Sequence, residues 1–211
     1  TDGKPFEQQA VVDASRCVAC GICAGACPTS TPFRRASDLT PGIDLPDPSI
    51  ATLRASLEEA AAALTGSPRL LLVGCNHAVR VASLGSAQIA TLSLPCVAML
   101  PPSFIDYALS RNLADGVFIT GCRDGECVNR FGVEWMTARL AGERDPMLRK
   151  RVPRDRLACQ WAARTDRVAL ERAIEAFAGR IAALPPPAPP VMPTILPEPA
   201  GKRVAEEANH D

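Results

Sequence analysis

The sequence predicts an α/β protein in which a small cysteine-rich module precedes an open, mostly parallel α/β sheet domain and a proline-rich, disordered tail. Three observations predict it. Four cysteines fall within eleven residues near the start, short apolar runs alternate with helix-spaced segments from residue 69 to about 182, and eight prolines crowd into Pro185–Pro199. Strands alternating with helices of ten or so residues indicate parallel strands with helices on the sheet's faces.

Taken in order, Ala10 to Val12 is a short strand candidate leading into the first cysteines. Residues 28 to 48 hold five prolines and read as loop and turn. From Asp47 to Leu64, Ile50, Leu53, Leu57, Ala60 and Leu64 are spaced three and four apart, which predicts an amphipathic helix closing the first module. Arg69–Val73 is an apolar strand stopping at Gly74-Cys75. Ala78 to Ile89 has helical spacing, Thr91–Val97 reads as a second strand and Pro102–Arg111 as a helix with Phe104, Ile105, Ala108 and Leu109 inward. Gly116–Thr120 is a buried strand, and Phe131–Leu140 and Val168–Ala182 are helices. The predicted boundaries are 1–46 for the small module, 47–66 for a connecting helix, 67–183 for the sheet domain and 184–211 for an extended tail.

Composition narrows the function. At 211 residues and 22.3 kDa the chain holds one ordinary domain or two small ones, which excludes a large multidomain enzyme. Apolar residues at 47% and charged residues at 22% exclude disorder throughout. Twenty-three basic residues balance twenty-three acidic ones, so no field exists to hold nucleic acid, and zero net charge suits life inside a complex. No apolar run approaches the roughly 20 residues of a membrane span and no signal peptide is visible, so the expectation is a soluble, cytoplasmic chain, with attachment to a membrane complex left open. The start at Thr1 rather than Met predicts processing or excision from something longer.

Nine cysteines, odd in number and closely spaced, do not look like a secreted disulfide framework. His77 and His210 are the only histidines, so a metal site must be thiolate-rich, which selects zinc or iron–sulfur clusters. Cys17-x2-Cys20-x2-Cys23-x3-Cys27-Pro28 is the bacterial ferredoxin run and predicts a ferredoxin-like module with a 4Fe-4S cluster. Thiolates two residues apart can curl around one face of a cube, while Gly21, Gly25, Ala19, Ala24 and Ala26 let the backbone approach. Zinc sites use two separated pairs instead. A zinc knuckle or four unrelated core cysteines are the alternatives. Cys27 either completes the cube or reaches toward a cluster whose triplet lies elsewhere.

A second group follows the strand ends: Cys75, Cys96, and Cys122 with Cys127 in a C-x4-C loop. Ligands of open α/β sheets bind beyond the carboxyl ends of the strands, and plant-type 2Fe-2S sites use this pair spacing. The alternatives are ordinary buried thiols, or a disulfide or thiol catalyst at Cys122 and Cys127. Cys159 is left over and reads as core. Arg123, Asp124 and Glu126 either tune a potential, dock a partner or are simply solvated. No GxGxxG or P-loop is present, Trp135 and Trp161 read as packing, and no catalytic residue is predicted.

The stretches LLLVGCNHA, LPCVAMLPPSFIDYAL and ADGVFITGCRDGECVNRFG, with the helix after Arg167, resemble the iron–sulfur (delta) subunit of methyl-viologen-reducing hydrogenase, the MvhD family. Gly121 through Gly132, as GC-x2-G-x-C-x4-G, is the most specific part. The resemblance implies a 2Fe-2S cluster on Cys75, Cys96, Cys122 and Cys127, and electron passage between a hydrogenase or formate dehydrogenase and a flavin-containing heterodisulfide-reductase-type partner. The family usually has CNxC where this chain has Cys75-Asn76-His77-Ala78. Either that thiolate is not a required ligand, or His77 replaces it as an additional ligand, or the cluster is lost.

The resulting expectation is an iron–sulfur electron-transfer subunit rather than a complete enzyme. It would relay single electrons between a redox partner (hydrogenase, formate dehydrogenase, heterodisulfide-reductase-like or membrane cytochrome module) and the rest of an oxidoreductase complex. The alternatives are a scaffold or docking subunit with one 4Fe-4S cluster and a vestigial second site, and a zinc-binding or redox-sensing regulator.

Overall fold

The structure, a computed structural model, describes residues 9–33 and 41–187. Part of the 28–48 loop, His210 and the tail beyond residue 187 therefore lie outside the described residues. Strands β1 (Leu70–Cys75), β2 (Ile89–Leu94), β3 (Gly116–Gly121) and β4 (Leu157–Trp161) form one parallel sheet in the order β2-β1-β3-β4. Every residue of β1 and β3 is buried, as strands covered on both faces require, and their runs LLLVGC and GVFITG carry the apolar composition that this demands. Leu70 stands opposite Ile89 on one side and Gly116 on the other, which sets the register of β2, β1 and β3.

The helices are α1 (Ile22–Ala26), α2 (Ile50–Ala62), α3 (Ser103–Ser110), α4 (Gly132–Ala141) and α5 (Arg167–Ala183). Alternate strand residues point to opposite faces. Leu71, Val73, Val117 and Ile119 join Leu53 and Leu57 of α2, Phe104 and Ile105 of α3 and Met136 of α4 in one cluster. Leu70, Leu72 and Phe118 join Leu170, Ile174, Phe177 and Ile181 of α5 in the other. Burying each of those α5 side chains contributes about 1.5–3 kcal/mol relative to exposure, so docking on the sheet holds the helix more than its local propensity does. α2 begins where Ser49 Oγ accepts from the Thr52 N–H at 3.1 Å and the Asp44 carboxylate accepts from the Ile50 N–H at 2.9 Å. α4 ends at Gly142, whose φ of 83° is the left-handed cap that glycine adopts without strain.

From the central pair β1 and β3 the chain runs outward to β2 on one side and β4 on the other. The β1–β2 link contributes Val79 and Val81 to the α5 side, whereas the links through α3 and α4 lie on the opposite face. Opposite directions on opposite faces keep one handedness of crossover. The crevice beyond the carboxyl ends of β1 and β3 is therefore a topological switch point.

Local expectations fail at four places. Ala10–Val12 makes a single bridge, Ala10 to Ile43, not a strand. Residues 78–89 are not an α-helix, because only Val81–Leu84 forms a 3-10 turn. Gly74 marks the difference: a Cβ there would clash with Val81 Cγ1, so the Val81 side chain of this link packs directly against the strand backbone. The second strand is Ile89–Leu94, not Thr91–Val97, because Pro95 has no N–H to extend the ladder, and Cys96 stands just beyond its end. Cys159 is exposed rather than core, because it sits mid-strand on edge strand β4.

Candidate metal centre

The switch point carries thiols. Cys75 ends β1 and Cys122 follows β3, and their Sγ atoms lie 4.0 Å apart, both buried. Cys75 Sγ approaches the Pro95 carbonyl at 3.6 Å and accepts the His77 N–H at 3.4 Å. Cys96 and Cys127 form a second pair across the start of α4. A Cβ on Gly132 would stand 2.4 Å from Cys96 Sγ and 3.2 Å from Cys127 Sγ, so only glycine leaves both sulfurs their places. The N-terminal turn of that ten-residue helix offers partial positive charge to a thiolate.

Burial pushes the Cys96 thiol up to about 11, against the N–H of Ala98 and the Asn129 side chain, with Cys127 and Cys20 adding to the rise. Burial likewise pushes the Cys75 thiol up, with Cys122 and Cys96 contributing. In the metal-free protein these thiols are neutral at pH 7. Four sulfurs crowded together, two of them held protonated by burial, are the donor set that a multi-iron centre neutralises when its cations replace the protons.

The first cysteine group is built differently. The chain curls through Ala19 (φ 52°) and Gly21 (φ 74°), two left-handed residues that bring Cys17, Cys20 and Cys23 within electrostatic reach of one another. Burial, then Cys20 and Cys17, raise the Cys23 thiol, while the Ala24 N–H opposes them. Cys27 goes the other way. Burial would raise it, but the Thr29 hydroxyl and the N–H groups of Thr29, Ile43 and Gly42 together hold it below the usual thiol value. Thr29 Oγ1 accepts from the Gly42 N–H at 2.6 Å, which leaves its proton for Cys27 Sγ at 2.9 Å. That is a thiolate-stabilising set of donors of the kind that ligating sulfurs use.

The two groups meet at a seam. A Cβ on Gly21 would stand 2.5 Å from Met99 Cγ, and one on Gly25 would stand 2.0 Å from the Ala98 carbonyl oxygen. The ferredoxin-type loop therefore lies directly on the 3-10 turn Val97–Met99 that follows Cys96. Both predicted cysteine sets come together this way, with Cys20 within electrostatic reach of Cys96. Among the described residues no three His, Cys, Asp or Glu side chains converge tightly enough to hold a single metal ion.

Around the rim, His77 is exposed and lines an open cleft with Cys122, Arg123, Glu126, Arg164 and Thr165. Ala78, where the extra thiolate would stand, is buried in the same cluster as Cys75 and Cys122. Arg123 is engaged rather than simply solvated, pairing with Asp166 at 2.7 Å and Glu126 at 3.0 Å, which ties the 122–127 loop to the start of α5. Sequence reasoning missed Thr29, Met99, Asn129 and Arg139. Arg139 was findable, because it falls on the helical stripe of Val133, Met136 and Leu140, where a charge is out of place.

A family model described as methyl-viologen-reducing hydrogenase, delta subunit, matches residues 70–185. A second, described as a 4Fe-4S binding domain, matches residues 10–32. A search of curated proteins finds no match. The first match covers more than half of the chain, with the whole sheet and Cys75 through Cys127 inside it, and the second encloses Cys17 through Cys27.

Proposed function

The chain belongs to the methyl-viologen-reducing hydrogenase delta subunit family and is an iron–sulfur electron-transfer subunit of a multi-subunit redox complex, and from that premise we propose a relay with two centres. Cys17, Cys20, Cys23 and Cys27 hold a 4Fe-4S cluster, and Cys75, Cys96, Cys122 and Cys127 hold a 2Fe-2S cluster. When bound, these groups supply one-electron redox chemistry. The residues do the rest. Thr29, Gly42 and Ile43 stabilise the Cys27 thiolate, the first turn of α4 faces Cys96 and Cys127, and the β1 and β3 ends bury Cys75 and Cys122 away from water.

The observation that carries this reading is the seam. Gly21 and Gly25 sit on Met99 and Ala98 with no side chain between, so the two thiol sets are neighbours in a single chain. Residues 1–46 carry the first centre, 47–66 the connecting helix, 67–183 the second centre and 184–211 the tail. Electrons enter or leave through a hydrogenase, a formate dehydrogenase, a heterodisulfide-reductase-like partner or a membrane cytochrome module, on the cytoplasmic side. No helix among the described residues is long and apolar enough to cross a membrane.

Burial of Ala78 in the core favours a second reading, a docking subunit with one 4Fe-4S cluster, because a packed methyl group stands where the family usually places a thiolate. Electron paramagnetic resonance with iron quantification on anaerobically purified, dithionite-reduced protein separates the two. The relay requires two signals and about six irons per chain, whereas one signal with about four irons establishes the docking subunit. Cys20→Ala is expected to remove the 4Fe-4S signal while leaving residues 69–180 folded; loss of both signals together breaks the two-module picture.

A further inference from the structure

Arg139 of α4 is fully buried, yet among the described residues only one of its three guanidinium nitrogens has a partner. Its NH1 donates to the Ala98 carbonyl at 2.8 Å, and its Nε and NH2 meet no acceptor among the described residues. No carboxylate pairs with it there. The other buried charges among the described residues are answered: Asp106 is held by Arg149 and Arg151, and Arg156 donates to the carbonyls of Asp115 and Pro185. A buried, unpaired cation is costly, and breaking a pair around such a charge is strongly destabilising, so a fold that keeps one points to an anion that the described residues do not supply.

The position says which anion. The carbonyl that Arg139 grips belongs to Ala98, two residues after Cys96, and is the same oxygen that Gly25 of the first loop packs against. Burial and the nearby Arg144 pull the guanidinium down to about 10, still charged at neutral pH, and Cys96 is the group that favours its charge. A thiolate-ligated 2Fe-2S core carries about two negative charges when oxidised and gains another on reduction.

We propose that Arg139 is the buried counter-cation of the iron–sulfur centre held through Cys96, and that its fixed charge raises the reduction potential of that centre. This rests on the two-centre reading above. A positive charge in a low-dielectric interior favours the more negative, reduced form, so removing it makes one-electron reduction by a titrant such as dithionite harder.

The test is a potentiometric resonance titration of the full chain as wild type, Arg139→Met and Arg139→Lys. The Met variant should reduce with an equilibrium constant at least tenfold smaller at the Cys96 centre, a fall of about 59 mV for one electron. The Lys variant should retain most of the wild-type midpoint. Both signals present with an unshifted midpoint in Arg139→Met overturn the counter-cation role alone; a single 4Fe-4S signal in the wild type overturns the two-centre reading and this inference with it. Melting of the metal-free proteins decides the matter even if the Met variant does not load. The counter-cation role expects Arg139→Met to melt at or above the wild type, and a lower melting point makes Arg139 a structural residue and overturns the proposal.

Discussion

The two cysteine groups solve the same problem by opposite means. The first is local: four thiols within eleven residues, curled by two left-handed positions, half-buried or exposed, with hydrogen-bond donors that favour the thiolate at Cys27. The second is assembled from three strand ends, with Cys75, Cys96 and Cys122 buried and the Cys75 and Cys96 thiols held protonated. The lesson is that donors gathered around one sulfur can prepare it as a ligand, whereas a sheet edge brings distant sulfurs together at a cost in ionisation. In the loop, donors favour the thiolate at Cys27 while burial opposes it at Cys23; at the sheet edge, Cys75 and Cys96 ionise only as metal displaces their protons.

The largest effect expected from breaking this contrast is at Gly132. Gly132→Ala puts a methyl 2.4 Å from Cys96 Sγ, so the variant should lose the second centre, falling from about six irons to about four by iron assay, while the first signal stays intact. A smaller effect follows from the raised thiols. Cys96 binds its proton more tightly folded, at about 11, than at the ordinary thiol value of 9.0, so its contribution to stability is complete below about pH 9 and lost as pH rises through about 11. Urea unfolding of the metal-free protein should show stability falling across that window, and a flat profile would mean that burial does not hold these thiols protonated. The smallest change expected is in Thr29→Val. Without the hydroxyl, the Cys27 thiol returns toward the ordinary range and its alkylation by iodoacetamide at pH 7 slows by about two- to fivefold in metal-free protein, read by mass spectrometry.

Legibility in the sequence followed the same divide. The ferredoxin run, β1, β3 and helices α3, α4 and α5 were readable because each is encoded by neighbours in the chain: thiol spacing, apolar runs, or a stripe three and four apart. The assembly of the second group was expected from strand ends alone, and the structure does bring Cys75 and Cys122 together. What escaped depends on residues far apart. The 78–89 segment has helical spacing, but the missing side chain at Gly74 lets Val81 lie on the strand instead. Cys159 looks like core until β4 proves to be an edge. The Thr29 to Gly42 hydrogen bond spans thirteen positions and leaves no local mark. Arg139 breaks its own apolar stripe, a conflict between residue and site that points to function rather than to packing.

The seam also bears on how freely such a protein can be taken apart. Residues 10–32, read alone, look like an interchangeable cassette, a spare part to be excised or swapped for another of its kind. Gly21 and Gly25 deny that: each surrenders its side-chain space to the turn after Cys96, and fully buried Met99 has the loop as part of its cover. A transplanted loop bearing a methyl group at either position could not seat, and a chain trimmed before residue 47 would lay Met99 open to water. The two halves were shaped as lock and key, and engineering one of them means redesigning the other.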